Sequence, residues 1–140
     1  LEGLACALFA GKATPADHQT LRDMKGAIGA MAEKGDLRGV LREKNRLYDL
    51  VTNSCGNQVL AGILQPLLAR ISILRSMSIA QPGRLAPMRE EVDAIIDAII
   101  DGNRERIFAA TSVHVDNARR AAIAAMDGEA RAAAKQAARS

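Results

Sequence analysis

At 140 residues, with 49% hydrophobic and 25% charged side chains, the chain is long enough for one folded domain with its own core and too apolar to be a disordered segment. Aromatic residues make up only 2%, so the core must be packed from Ala, Leu, Ile and Met, which suits closely approaching helices better than a sheet of β-branched and aromatic strands. A net charge of +3 with acids and bases interspersed argues against direct nucleic-acid binding, and no apolar run approaches the roughly 18 residues of a membrane span.

Leu1, Leu4 and Leu8 share one helical face, a pattern that starts at the first residue and predicts further chain before it. Thr14, Pro15 and Asp17 supply an N-cap, a proline at the first helical position and a capping-box acid. A helix is therefore expected to about Glu33, with Leu21, Met24, Ile28 and Met31 inward and Gly35 as its stop. Asp36 caps the next, from Leu37 to about Ser54, whose apolar positions are Leu37, Val40, Leu41, Leu47, Leu50 and Val51. Asn57 caps a long helix expected to reach about Ile79, with Leu60, Ile63, Leu64, Leu67, Ile71 and Leu74 inward and a kink at Pro66. After a loop at residues 81–84, a helix from about Pro87 to Gly102 buries Met88, Val92, Ile95, Ile96 and Ile99, and a last one runs from Arg104 to about Ala125. The Ala-rich residues 128–140 read as a solvated terminal helix or frayed tail. The expected fold is all-α: a six- to seven-helix antiparallel bundle, residues 1–127 forming the domain.

Little in the chain suggests catalysis. The phosphate-loop, dinucleotide, zinc-protease and nucleophile-elbow motifs are missing, and His18 and His114 are the only histidines, so no enzymatic activity is expected. Cys6 and Cys55 have no CxxC spacing and read as reduced thiols, consistent with a cytoplasmic protein. The segment "EKNRLYDLVTNSCGN" carries the most informative pair. Lys44 and Tyr48, four residues apart on one helix, project together within or beside the apolar face. Both can be a solvated lysine and a tyrosine snorkelling at the rim, or a cation and a phenol aimed inward to hold a carboxylate. His114 lies near the inward stripe of the last long helix, where a satisfied core histidine and a ligand contact both fit; Arg75 is either a solvated arginine or a second cation for an anion.

The opening "LEGLACALFA", the stretch "KGDLRGVLREKNRLYDLVTNSCGNQVL", the stretch "PGRLAPMREEVDAIIDAIIDGN" and the closing "AATSVHV" together resemble the C-terminal effector-binding domain (FCD type) of the FadR subfamily of bacterial GntR transcription regulators, over about Leu1 to Met126. The resemblance implies a helical bundle that senses a small metabolite, often a carboxylate, and forms a homodimer. It also implies an N-terminal winged helix-turn-helix before Leu1 that contacts operator DNA, which this chain would not do alone. Many members of that family hold a metal through D-x-x-x-H and two later histidines. Aligned on the Gly-Asn that follows, Lys44 stands at the Asp position, Tyr48 at the first His, Val92 at the second, and His114 retains the third. An ammonium repels a cation and valine has no lone pair, so metal binding is expected to be lost and no cofactor is expected. Lys44, Tyr48, Arg75 and His114 are then the expected contacts of an organic-acid effector. A ligand-free dimerisation module and a metal-dependent helical-bundle enzyme are the alternatives.

Overall fold

The computed structural model describes residues 1–139. Seven helices follow in order: α1 (Glu2–Ala10), α2 (Pro15–Glu33), α3 (Leu37–Ser54), α4 (Gln58–Arg70), α5 (Ser72–Ile79), α6 (Leu85–Ile100) and α7 (Arg104–Ala137). There is no strand among the described residues.

The helix ends are fixed by local chemistry. Thr14 and Asp17 form a reciprocal capping box at the start of α2, and Pro15 sits where its missing N–H costs nothing. At the other end of α2, Gly35 adopts φ +69°, a left-handed turn that L side chains resist; the Asp36 N–H then reaches back to the Met31 carbonyl (2.9 Å), closing a Schellman turn. Asp36 in turn accepts from the Gly39 N–H (2.9 Å), Asn57 from Leu60 (3.0 Å) and Asn103 from Arg106 (3.0 Å), so three more helices begin on a side-chain cap.

The core is aliphatic. Phe9, Leu21, Ile28, Val40, Val51, Leu64, Met88, Val92, Ile96, Ile99 and Ile107 are completely enclosed. Helix α7 runs along α1, α5 and α6; α2 packs on α3 and α6, and α3 packs on α1 and α4. Helix α1 can sit so close to α7 because of Gly3, where an added Cβ would lie 2.7 Å from the Thr111 hydroxyl and 2.9 Å from the Phe108 ring. That approach brings the neighbouring Glu2 into the interior.

Four expectations need correction. The long helix from Asn57 to Ile79 is two helices bent by 56°, and the break falls at Ile71, not at Pro66. Pro66 and Gly62, whose carbonyl the proline leaves without its usual donor, both face solvent, so water can satisfy that carbonyl and α4 continues. The inward set of this region is also different: Leu60, Leu64 and Leu68 are buried, while Ile63, Leu67 and Leu74 are exposed and Ile71 is half-buried. The helix placed near Pro87 starts two residues earlier, and α7 continues through Ala137 without interruption rather than ending near Ala125. Among the described residues no single helix is long and apolar enough to cross a membrane.

Candidate functional site

Helix α3 presents Val40, Leu47 and Val51 to the core, and the same face carries Lys44 and Tyr48. Lys44 is therefore buried, with 5% of its surface exposed, and Tyr48 is buried at 9%, so neither is a solvated rim residue. Burying an ammonium is costly, and burial together with the nearby positive charge of Arg75 pulls the Lys44 pKa from 10.5 down to about 7, against the opposing pull of Glu2 and Glu91.

The Lys44 Nζ lies 3.3 Å from the Nε2 of His114, and the His114 Nδ1 lies 2.7 Å from a Glu91 carboxylate oxygen. Burial lowers the His114 pKa more than the Glu91 hydrogen bond raises it, so the ring is neutral near pH 7. A neutral ring beside a carboxylate and an amine has one consistent tautomer: Nδ1–H donates to Glu91, and Nε2 accepts from Lys44.

Glu91 is the anchor of this chain. Arg84 grips it with two parallel hydrogen bonds (2.7 and 2.6 Å), and Asn117 Nδ2 donates to it at 2.7 Å. Burial raises the Glu91 pKa, but the hydrogen bonds from His114, Arg84 and Asn117 outweigh it and hold the carboxyl at about 2. With His114 included, both oxygens of Glu91 receive two donors each, so its acceptor capacity is filled.

Tyr48 follows a different route. Its hydroxyl donates to Glu2 (2.9 Å), and burial plus the Glu2 charge push the phenol well above its usual range. The Arg75 guanidinium lies over the Tyr48 ring, 4.8 Å from its centre, and its Nη1 donates to Asn45 (3.0 Å). The other Arg75 nitrogen, Nη2, is buried without a partner, and so is Arg84 Nε.

These side chains surround a cavity of about 230 Å³. Lys44, Tyr48, Arg75 and His114 all line it, so the four residues singled out from sequence are brought to one place. Sequence reasoning missed Glu2, Arg84, Glu91 and Asn117. Asn117 follows His114 by three residues and so shares its face, and Glu91 immediately precedes Val92, the position aligned with a metal ligand; both carried a usable signal. Arg84, in the loop before α6, carried none.

Three buried or half-buried cations, Lys44, Arg75 and Arg84, thus line the cavity with one carboxylate, Glu2, already engaged by Tyr48, while Glu91 lies behind the lining, held by Arg84 and His114. An entering anion would find an ammonium and free guanidinium donors. A metal ion would not fit. The Lys44 nitrogen occupies the direction of the His114 Nε2 lone pair, Glu91 has no acceptor position to spare, and Val92 lines only a void of about 10 Å³ beside Lys44, room for a single water at most. Among the described residues no three His, Cys, Asp or Glu side chains are grouped to hold a metal.

The FCD domain family model matches residues 1–117, which include Glu2, Lys44, Tyr48, Arg75, Arg84, Glu91, His114 and Asn117. No curated protein matches the chain. FCD domains are regulatory rather than catalytic and bind small-molecule effectors in GntR-type transcription regulators. With more than four-fifths of the chain matched, it belongs to the FCD family, the C-terminal effector-binding domains of those regulators.

Proposed function

We propose that this domain senses a small organic acid, held without a metal by Lys44 and Arg75, with His114 fixing the lysine and Tyr48 positioning the arginine. The observation that carries the reading is the buried Lys44 ammonium 3.3 Å from His114 Nε2, where relatives with a D-x-x-x-H pattern would place a cation. A lysine kept in an apolar interior at a cost in stability is best accounted for by an anion that it meets there. The unpartnered Arg75 Nη2 supplies a second donor. Tyr48 contributes through the Arg75 stack, since its own hydrogen is committed to Glu2. The domain has no catalytic role in this reading.

The reading extends to a homodimer whose two arrangements differ in effector affinity, so that effector binding changes the spacing of attached DNA-binding modules. Support for a dimer comes from α4. Val59, Ile63 and Leu67 recur at intervals of four along one exposed stripe, 75, 54 and 42% exposed, and Ile73 on α5 is 71% exposed. Such an uncovered apolar row suits a self-complementary contact between copies. A ligand-free dimerisation module would retain this stripe but has no use for Lys44 in the interior.

The test is thermal unfolding with a panel of mono-, di- and hydroxycarboxylates in the presence of EDTA. A binding acid at about a hundredfold excess over Kd should raise Tm on the order of 5–10 °C, and the rise should vanish in Lys44→Met. A flat panel, or a rise that needs added metal, counts against the proposal.

A further inference from the structure

The cavity has two unlike ends. At one, Lys44, Arg75, Arg84 and His114 supply the polar groups; toward the other, α7 carries Ala122, Ile123 and Met126 about two to three turns beyond His114, and Leu74, Met88 and Val115 add to the apolar lining. Four of these apolar side chains are large and exposed: Leu74 at 38%, Val115 at 45%, Ile123 at 46% and Met126 at 50%. They come from two helices, α5 and α7, yet meet at one cavity. Ala122, Ile123 and Met126 also lie beyond the residues matched to the family.

Resting on the carboxylate reading above, we propose that the effector is an amphipathic monocarboxylate, with its head at Lys44 and Arg75 and an unbranched or branched hydrocarbon tail lying along α7 toward Met126. An apolar tail covers side chains that otherwise face water, a gain that grows with each methylene. A hydroxyl or a second carboxylate at that end would be desolvated against Leu74, Val115, Ile123 and Met126, which offer no hydrogen bond, so sugar acids and dicarboxylates are disfavoured. Arg119, which also lines the cavity, is the one charged group near this end, and it is drawn to Asp116 (2.8 Å). The head fixes orientation and the tail sets selectivity.

The experiment is calorimetric titration of the domain in EDTA with butanoate, hexanoate and octanoate, and with octanedioate, octanol and gluconate as controls. Affinity should rise about fourfold per methylene along the monocarboxylates. Octanedioate and gluconate should bind at least tenfold more weakly than octanoate. Ile123→Asp, at a half-exposed position that folding tolerates, should flatten the rise in affinity from butanoate to octanoate, whereas Lys44→Met should weaken every acid and keep that rise. If gluconate or octanedioate binds more tightly than octanoate, and Lys44→Met abolishes that binding, the tail assignment is overturned while the carboxylate reading stands. If octanol binds as well as octanoate, or no acid binds at all, both fall.

Discussion

The Lys44 Nζ and the His114 Nε2 are 3.3 Å apart in the interior, and the histidine passes the contact on to Glu91. The lysine is the least stable member of this chain of groups and the carboxylate the most firmly held, because Glu91 has four donors and Lys44 has one acceptor. The site is therefore rigid at α6 and α7 and unsatisfied at α3, which is where an anion would act.

Replacing Lys44 with methionine should stabilise the ligand-free domain. The buried charge disappears at a similar side-chain volume, offset by the His114 acceptor left unpaired, for a net gain of about 1–3 kcal/mol at pH 6. The pH dependence should change with it. Lys44 titrates at about 7 folded and 10.5 unfolded, so between those values the unfolded chain holds more protons and stability rises as pH climbs. His114, also depressed, acts in the same direction at lower pH. Above about pH 9, Cys6 and Tyr48, both raised by burial, act the other way. Urea unfolding from pH 6 to 9 should show a rise in the wild type that is shallower in Lys44→Met; equal slopes would count against a buried, shifted lysine.

Effector binding should take up a proton at pH 8. Free Lys44 is mostly neutral there, and a carboxylate beside it favours the charged form. Titrations in buffers of different ionisation enthalpy should report uptake approaching one proton, and affinity should fall up to about tenfold per pH unit above 7. Proton release, or an affinity flat from pH 7 to 9, contradicts this.

Glu91→Ala should be among the most damaging single changes in the domain. It leaves Arg84, whose side chain is 9% exposed, without its counter-charge and removes the acceptor of His114, at a cost of about 3–5 kcal/mol. The Glu91 contribution, present above the usual carboxylate range, is lost as pH falls toward about 2. Chemical denaturation of the variant at pH 7 and acid titration of the wild type check both statements.

Placing a charge in the α4 stripe should separate the copies. Ile63→Asp puts a carboxylate at the centre of the row formed with Val59 and Leu67, on a surface position where the monomer fold has little to lose. Light scattering should give the mass of two chains for the wild type and of one for the variant. A monomeric wild type would remove dimerisation from the proposal.

Much of this was legible from residue order, for definite reasons. Caps at Thr14, Asp36 and Asn57 are local chemistry, so the helix starts they mark lie where the residues place them. Lys44 interrupts an otherwise clean apolar stripe, and a stripe on a helix with one buried side points only one way. Helix α4 has apolar side chains on more than one side, so periodicity could not say whether Leu64 or Ile63 faces the core. The break at Ile71 has no proline or glycine to announce it, and the α5 helix that follows it packs on α7, far along the sequence. Arg84 and Glu2 reach the site through tertiary placement alone, the second because Gly3 admits α1 against α7.

The most direct measurement follows the Lys44 side chain itself, by NMR titration of the domain labelled at the lysine ε-carbon, free and with the tightest-binding acid of the carboxylate panel. The account predicts a midpoint near 7 in the free domain that moves upward when the acid binds. A Lys44 midpoint in the ordinary lysine range, or one that bound acid leaves unmoved, would contradict it.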